Sequence, residues 1–268
     1  RSSAASDVYK RQVVKGGSFV WENNANISAP SGELVVFANP FSGQLHMAFK
    51  YDIYSLEPLY RANVYVDANS GDVLFENNRI HHTNVAASGT TLYNGNRSFT
   101  ADQTAPTSFR LRQTTTGNGI ETYNANNKWN YNTITDFTST SATSWPDATS
   151  IQAHWASEQT HDFFMNKFGR NSFDNAGSVI ESYVHYGVDY VNAFWNGSVM
   201  TYGDGDGVSY SPLVSVDIVG HEITHGVTEH TANLIYAREA GALNESFSDI
   251  FGEALEKFAT GSNDWRMG

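Results

Sequence analysis

The chain has 268 residues, 40% hydrophobic and 13% aromatic, with a formal net charge of −12 and a pI near 5.1. That length allows two domains, and the acidic balance argues against nucleic acid, whose binders are usually basic. There are no cysteines, which excludes a cysteine nucleophile and any disulfide framework, and no apolar run approaches the roughly 18 residues of a membrane span.

Residues 1–12 show neither an amphipathic period nor a signal-peptide core, and read as a non-native tail outside the fold. Residues 13–84 are strand-rich. Leu45, Met47, Phe49, Tyr51 and Ile53 alternate with His46, Ala48, Lys50 and Asp52, the pattern of a half-buried strand. Val64 and Val66, then Asn69-Ser70-Gly71-Asp72, then Val73 and Phe75 predict a hairpin. Asn77 to Gly89 reads as a polar linker. His81 and His82 inside it are adjacent, so extended backbone points them apart, which suits exposed loop residues better than a metal pair.

Residues 90–145 are rich in Thr, Ser and Asn with scattered aromatics, which suits twisted antiparallel β-structure. Asp147 to about Phe168 reads as a helix with Ile151, Trp155, His161 and Phe164 among its bulky positions. Gly203-Asp204-Gly205-Asp206-Gly207 looks at first like a calcium loop. An EF-hand starting at Asp204 needs an oxygen ligand at its fifth position and Glu at its twelfth, where this chain has Val208 and Ser215. A glycine-rich turn is the better reading.

The most informative segment is His221-Glu222-Ile223-Thr224-His225. Val216, Val219, Ile223 and Val227 form an apolar stripe that predicts a helix from Val216 to about His230, with Ser215 as N-cap. Residues four apart share a helix face, so His221 and His225 can grip one metal ion. Glu222 sits about 100° round from His221, placed to act as general base on a metal-bound water. A second helix is predicted from about Ala240 to Ala259. Glu245 and Asp249 share a face of it. A catalytic zinc takes three protein ligands and leaves a position for water, so Glu245 is the expected third ligand. Asp249 is placed to accept the free ring N–H of a ligating histidine. The neighbours Ala242, Leu243, Phe247, Ile250 and Phe251 predict that this helix is mostly buried.

The segments His221–Leu234, Gly241–Gly252, Asn192–Gly197 and Gly203–Gly207 together resemble the thermolysin family of zinc metallopeptidases, in order and in spacing. The resemblance covers most of residues 150–268. It implies one catalytic zinc held by His221, His225 and Glu245, with Glu222 activating water. It also implies an oxyanion-stabilising Tyr236 and substrate-backbone contacts from Asn192 and Ala193. Protein or peptide substrates and cleavage before bulky apolar residues follow, with Ile218 and Leu213 as pocket residues or plain core. Asp217, Glu253, Glu256 and Asp264 bring hard carboxylate oxygens together, which suits Ca²⁺. They match the family's calcium ligands, and Arg266 stands where a second ion needs an acid, so one structural calcium is expected.

The expected fold is α+β, in two parts. Residues 13–84 resemble the C-terminal, PepSY-like part of the family's propeptide, which serves as folding assistant and intramolecular inhibitor. Residues 85–268 resemble the zinc-bearing half of the catalytic unit, with the C-terminal helical domain absent and processing near Thr83–Ser88. The implied protein is a secreted bacterial endopeptidase made as an inactive precursor, and these 268 residues are expected to be nearly inactive alone. The alternative is a non-catalytic, propeptide-like binding or inhibitory module with a structural metal. A zinc hydrolase acting on a non-peptide substrate is the third reading.

Overall fold

The computed structural model describes residues 32–40, 42–56, 59–78 and 83–268. The chain divides into two compact units, Arg1–His81 and His82–Gly268. The expected tail over residues 1–12 and the pair His81 and His82 lie outside the described residues.

In the first unit β1 (Glu33–Ala38), β2 (Leu45–Leu56), β3 (Leu59–Asp67) and β4 (Val73–Asn78) form an antiparallel meander in that order. The alternation along β2 works as a half-buried strand should. Tyr51 and Ile53 are buried with Ala62, Val64 and Val66 of β3 on one face. Phe37 stacks on Tyr65 on the other, with ring centroids 4.3 Å apart. At the far end of β2 the same alternation leaves Leu45 and Met47 exposed. The predicted hairpin joins β3 to β4. Asp67 Oδ1 accepts the N–H groups of Asn69 and Ser70 at 2.8 and 3.0 Å, and Gly71 takes the left-handed φ of 82° that closes the turn.

The expected linker is mostly strand. Asn77 and Asn78 end β4, and Thr83–Gly89 belongs to β5 (Thr83–Thr91) of the second unit. There β5 pairs with β6 (Gly95–Ala105), so the Thr83–Ser88 stretch expected to be processed is hydrogen-bonded ladder. Its polar side chains suit either role, because Thr and Ser serve on a sheet edge as readily as in a linker.

The second unit has two sheets and three helices among the described residues. One sheet has the order β11 (Thr138–Ser139), β7 (Ser108–Arg110), β6, β5 and is antiparallel throughout. The other runs β10 (Thr135–Asp136), β9 (Ile120–Asn124), β12 (Ile180–Val184), β14 (Met200–Tyr202), β13 (Ala193–Trp195), with β8 (Arg112–Gln113) also on β9. This sheet is mixed, since β12 runs parallel to both β9 and β14. β13 is its edge strand.

Helix α1 (Ala148–Phe168) starts where predicted: the Asp147 carboxylate accepts the Ser150 N–H at 2.6 Å. Buried His154 ties this helix to both sheets. Its Nε2–H donates to the Thr100 carbonyl at 2.9 Å, so its Nδ1 accepts from the Thr122 hydroxyl at 3.0 Å. Burial lowers its pKa to about 4, and the ring stays neutral.

Helix α2 (Val216–Glu229) packs Val216, Val219, Ile223 and Val227 into the core, as its periodicity predicts. Ser215 is its N-cap residue, yet makes no side-chain capping bond. Helix α3 (Arg238–Thr260) departs from expectation. Leu243, Phe247 and Ile250 are exposed, while its buried positions are Gly241, Asn244, Ser248, Gly252, Glu253 and Leu255. Small and polar residues face α2 because the helices cross closely. A Cβ on Gly220 would lie 3.3 Å from the Gly252 Cα, and one on Gly252 would lie 2.6 Å from the Asp217 carbonyl oxygen.

Candidate active site

His221 and His225 project from α2 toward α3, where Glu245 faces them. His221 Nε2 lies 2.9 Å from His225 Nε2 and 3.1 Å from Glu245 Oε2, and His225 Nε2 lies 3.6 Å from Glu245 Oε1. Donors around a tetrahedral metal at about 2.1 Å stand roughly 3.4 Å apart, and the three separations bracket that spacing. Proton placement agrees. Each Nδ1 has an acceptor: Asp249 Oδ1 at 2.9 Å for His221, and Asn244 Oδ1 at 2.8 Å for His225. Asn244 is oriented by its own amide N–H, which donates to the Leu234 carbonyl at 3.3 Å. With both hydrogens on Nδ1, the two Nε2 lone pairs face each other, an arrangement that repels unless a cation lies between them. The donor set therefore fits a divalent metal that accepts nitrogen and oxygen.

Glu222 points from the other flank of α2 into the floor of an open cleft of ≈ 710 Å³, lined also by Asn192, Ala193, Trp195 and Tyr236. Burial raises its pKa to about 8; the Trp195 backbone N–H opposes the shift and the Glu245 charge adds to it. Tyr236 stands on the solvent side, 69% exposed, with its hydroxyl against Glu245 Oε1. Ile218 and Leu213 are not among the residues lining the cleft.

The cleft's other wall is the edge strand. Gly203 N–H donates to the Asn192 carbonyl at 3.0 Å, and Asn196 N–H to the Val199 carbonyl at 3.2 Å, with Phe194 opposite Thr201 between them. In an antiparallel ladder alternate residues face the partner strand. The backbone groups of Asn192, Phe194 and Asn196 therefore face β14, and those of Ala193 and Trp195 face the free edge. Trp195 turns its N–H toward Glu222, and its indole N–H donates to Glu229 at 2.7 Å. The glycine-rich segment earns its composition here: Gly203 and Gly205 lie where any Cβ would strike the carbonyl oxygens of Tyr190 and Tyr210. Asp206 accepts the N–H groups of Val208, Ser209 and Tyr210, a turn as predicted.

The second acidic cluster also assembles. One carboxylate oxygen each from Glu253, Glu256 and Asp264 lie within 4.8 Å of one another. Asp217 is outside that set but close. Burial raises the pKa of Glu256, and the charges of Asp217, Glu253 and Asp264 add to the shift. Glu253 Oε1 and Glu256 Oε2 are buried without a hydrogen-bond partner, as oxygens reserved for a cation would be. Asp217 Oδ2 accepts the Gly268 N–H at 2.6 Å.

The sequence reading missed Asn244 and Ser248, the latter with its hydroxyl 3.2 Å from His225 Nδ1. The signal in the sequence is arithmetic: two histidine ligands need two Nδ1 acceptors, and Asp249 supplies only one.

Comparison with known proteins gives two family matches. Residues 86–229 match the model for the thermolysin metallopeptidase catalytic domain, and residues 232–268 that for the thermolysin metallopeptidase alpha-helical domain. The second match corrects the expectation that the helical domain is absent: α3, which carries Glu245, falls within it. Bacillolysin of Brevibacillus brevis is 41% identical over 245 residues, covering 90% of this chain and 44% of that protein. Thermostable neutral protease NprT of Geobacillus stearothermophilus is 37% identical over 256 residues, covering 88% of this chain and 45% of its own. The chain thus spans about half the length of these relatives. A solved structure, the precursor of protealysin from Serratia proteamaculans, is 41% identical with a TM-score of 0.50, over 53% of this chain and 44% of that one. The chain belongs to the thermolysin family of metallopeptidases.

Proposed function

We propose that the protein is a secreted zinc-dependent endopeptidase made as a precursor. The observation that carries this reading is the convergence of His221, His225 and Glu245 with both Nδ1 hydrogens already donated, beside a buried carboxylate and a free strand edge. His221, His225 and Glu245 would hold the zinc. Bound there, zinc supplies Lewis acidity, lowering the pKa of a water toward about 7 and polarising the scissile carbonyl.

The chain's own residues do the rest. The peptide lies along β13 as an added strand, held by the free backbone groups of Ala193, with Asn192 lining the same cleft. Glu222 takes the proton of the attacking water and passes it to the leaving amine. A carboxylate whose burial holds its proton affinity near neutrality suits both steps. The Tyr236 hydroxyl donates to the developing oxyanion, and Asp249 and Asn244 hold the imidazoles in register. Calcium at Asp217, Glu253, Glu256 and Asp264 ties the end of α3 to the start of α2, one ion serving a protein without disulfides. Residues 13–84 act as the propeptide, a reading supported by the catalytic-domain match beginning only at residue 86 and by the likeness to a precursor. The 268 residues alone turn over peptides poorly, because Tyr236 and the outer face of α3 stand open to water.

The test is zinc content of the purified chain. Wild type should carry about one zinc per chain and Glu245→Ala should lose it. Glu222→Gln in the full-length gene product should keep zinc and lose turnover. Unchanged zinc in Glu245→Ala would remove Glu245 from the site.

A further inference from the structure

The outer face of the mixed sheet carries a run of aromatic rings that the proposed chemistry does not use. Phe194 projects to the face opposite Ala193 and Trp195, because side chains alternate along a strand. Its ring centroid is 5.7 Å from that of Tyr186 and 6.4 Å from that of Tyr190. Trp129 extends the group, 5.8 Å from Tyr186 and 5.2 Å from Tyr190. Trp129 is 57% exposed, unusual for so large an apolar side chain.

That exposure is built. Gly187 lies against the indole, where an added Cβ would be 2.8 Å from the ring, and its φ is +72°. Gly187 N–H donates to the Lys128 carbonyl at 3.1 Å, and Asn127 N–H to the His185 carbonyl at 2.8 Å. Trp129 thus rests against the Gly187 backbone and two tyrosines, and more than half of it remains exposed. Fixed exposed apolar surface that continues into a cleft marks a contact site. Continuity is direct, because Phe194 lines the cleft beside Asn192 and Ala193.

We propose that Trp129, Tyr186 and Tyr190, continuing from Phe194, form a specificity shelf for apolar or aromatic side chains of an extended peptide substrate. This rests on β13 being the peptide-binding edge. A strand added to that edge puts the residue opposite Phe194 on the outer face, beside its ring. Same-face residues of an extended peptide recur every ~6.7 Å, and ring spacings of 6.4 and 5.2 Å carry the shelf one such step further. The residue two places along meets Tyr190 and Trp129. Intervening side chains turn inward to the cleft floor, so the shelf reads every second residue.

The experiment uses the full-length gene product as wild type, Trp129→Ala and Trp129→Phe. The probes are peptides with one reduced, non-cleavable amide bond, carrying a single Phe at each position in turn in a Ser/Gly background. Dissociation constants are measured by anisotropy of a terminal dye. Wild type should gain about five- to tenfold in affinity from Phe at two positions two residues apart. Trp129→Ala should lose the gain at the outer position alone, and Trp129→Phe should keep most of it. Wild-type gains throughout in Trp129→Ala, or equal losses at every position, overturn the shelf and leave the edge-strand reading intact. If wild type binds none of the peptides, the edge-strand reading fails and the shelf falls with it.

Discussion

Gly252 tests whether the α2–α3 crossing sets the metal site. Changing it to alanine should favour the helix by about 1 kcal/mol on propensity alone. The tertiary contact reverses the sign. The new methyl would stand 2.6 Å from the Asp217 carbonyl oxygen and 3.3 Å from its carbonyl carbon. Backbone cannot swing aside as a flexible side chain can, so the helices must part by about 0.8 Å to reach ordinary contact. Overpacking of this kind costs about 1–3 kcal/mol. The strain falls on the turn that carries His221, since the Asp217 carbonyl is the helical acceptor four residues earlier. Metal donors tolerate displacements of only about 0.2 Å. Gly252→Ala should therefore bind zinc at least about tenfold more weakly and melt about 2–8 °C lower. Chelator-competition titration and calorimetry measure the two effects. Gly261→Ala is the control. It strains a left-handed φ of +87° with nothing within 4 Å, so it should lower Tm without touching zinc affinity. A Gly252→Ala protein with wild-type zinc affinity and an equal or higher Tm would refute the reasoning.

Three further outcomes are expected. Asn244→Ala and Asp249→Ala, which leave every proposed ligand in place, should each weaken zinc binding about 10- to 100-fold; an unchanged dissociation constant would deny them a positioning role. His185 lies between Asp204 at 2.8 Å and Asp147 at 3.0 Å. Burial opposes its charge, but the hydrogen bonds its ring donates to Asp147 and Asp204 outweigh it and raise the pKa from 6.5 to about 9. The stabilisation is complete below 6.5 and lost as pH rises through about 9. His185→Gln should thus flatten the fall of Tm across that window, and parallel Tm profiles would contradict the assignment. Calcium added to chelated protein should raise Tm, and Glu253→Gln should abolish the response; a Tm indifferent to calcium in wild type would exclude the site.

The helical spacing of His221 and His225 was legible from sequence because it is a local property: four residues bring two side chains over one another whatever surrounds them. The apolar stripe of α2 and the Gly71 turn were legible for the same reason. Linker and strand were confused between Thr83 and Gly89, since polar β-branched residues serve both and only the pairing with β6 decides. The burial of α3 was misjudged because Leu243, Phe247 and Ile250 look like core, whereas a close crossing at Gly220 and Gly252 needs small residues at the contact.

What the sequence alone determined was the chemistry on offer: two imidazoles, three carboxylates and a tyrosine, in an order that a metallopeptidase uses. Tertiary structure decided which lone pairs and backbone groups face one another. Asn244 as the second imidazole's acceptor, the free edge groups of Ala193 and the exposure of Trp129 all depend on helix crossing and ladder parity. Those are relations between segments distant in the chain, and no single stretch of it encodes them.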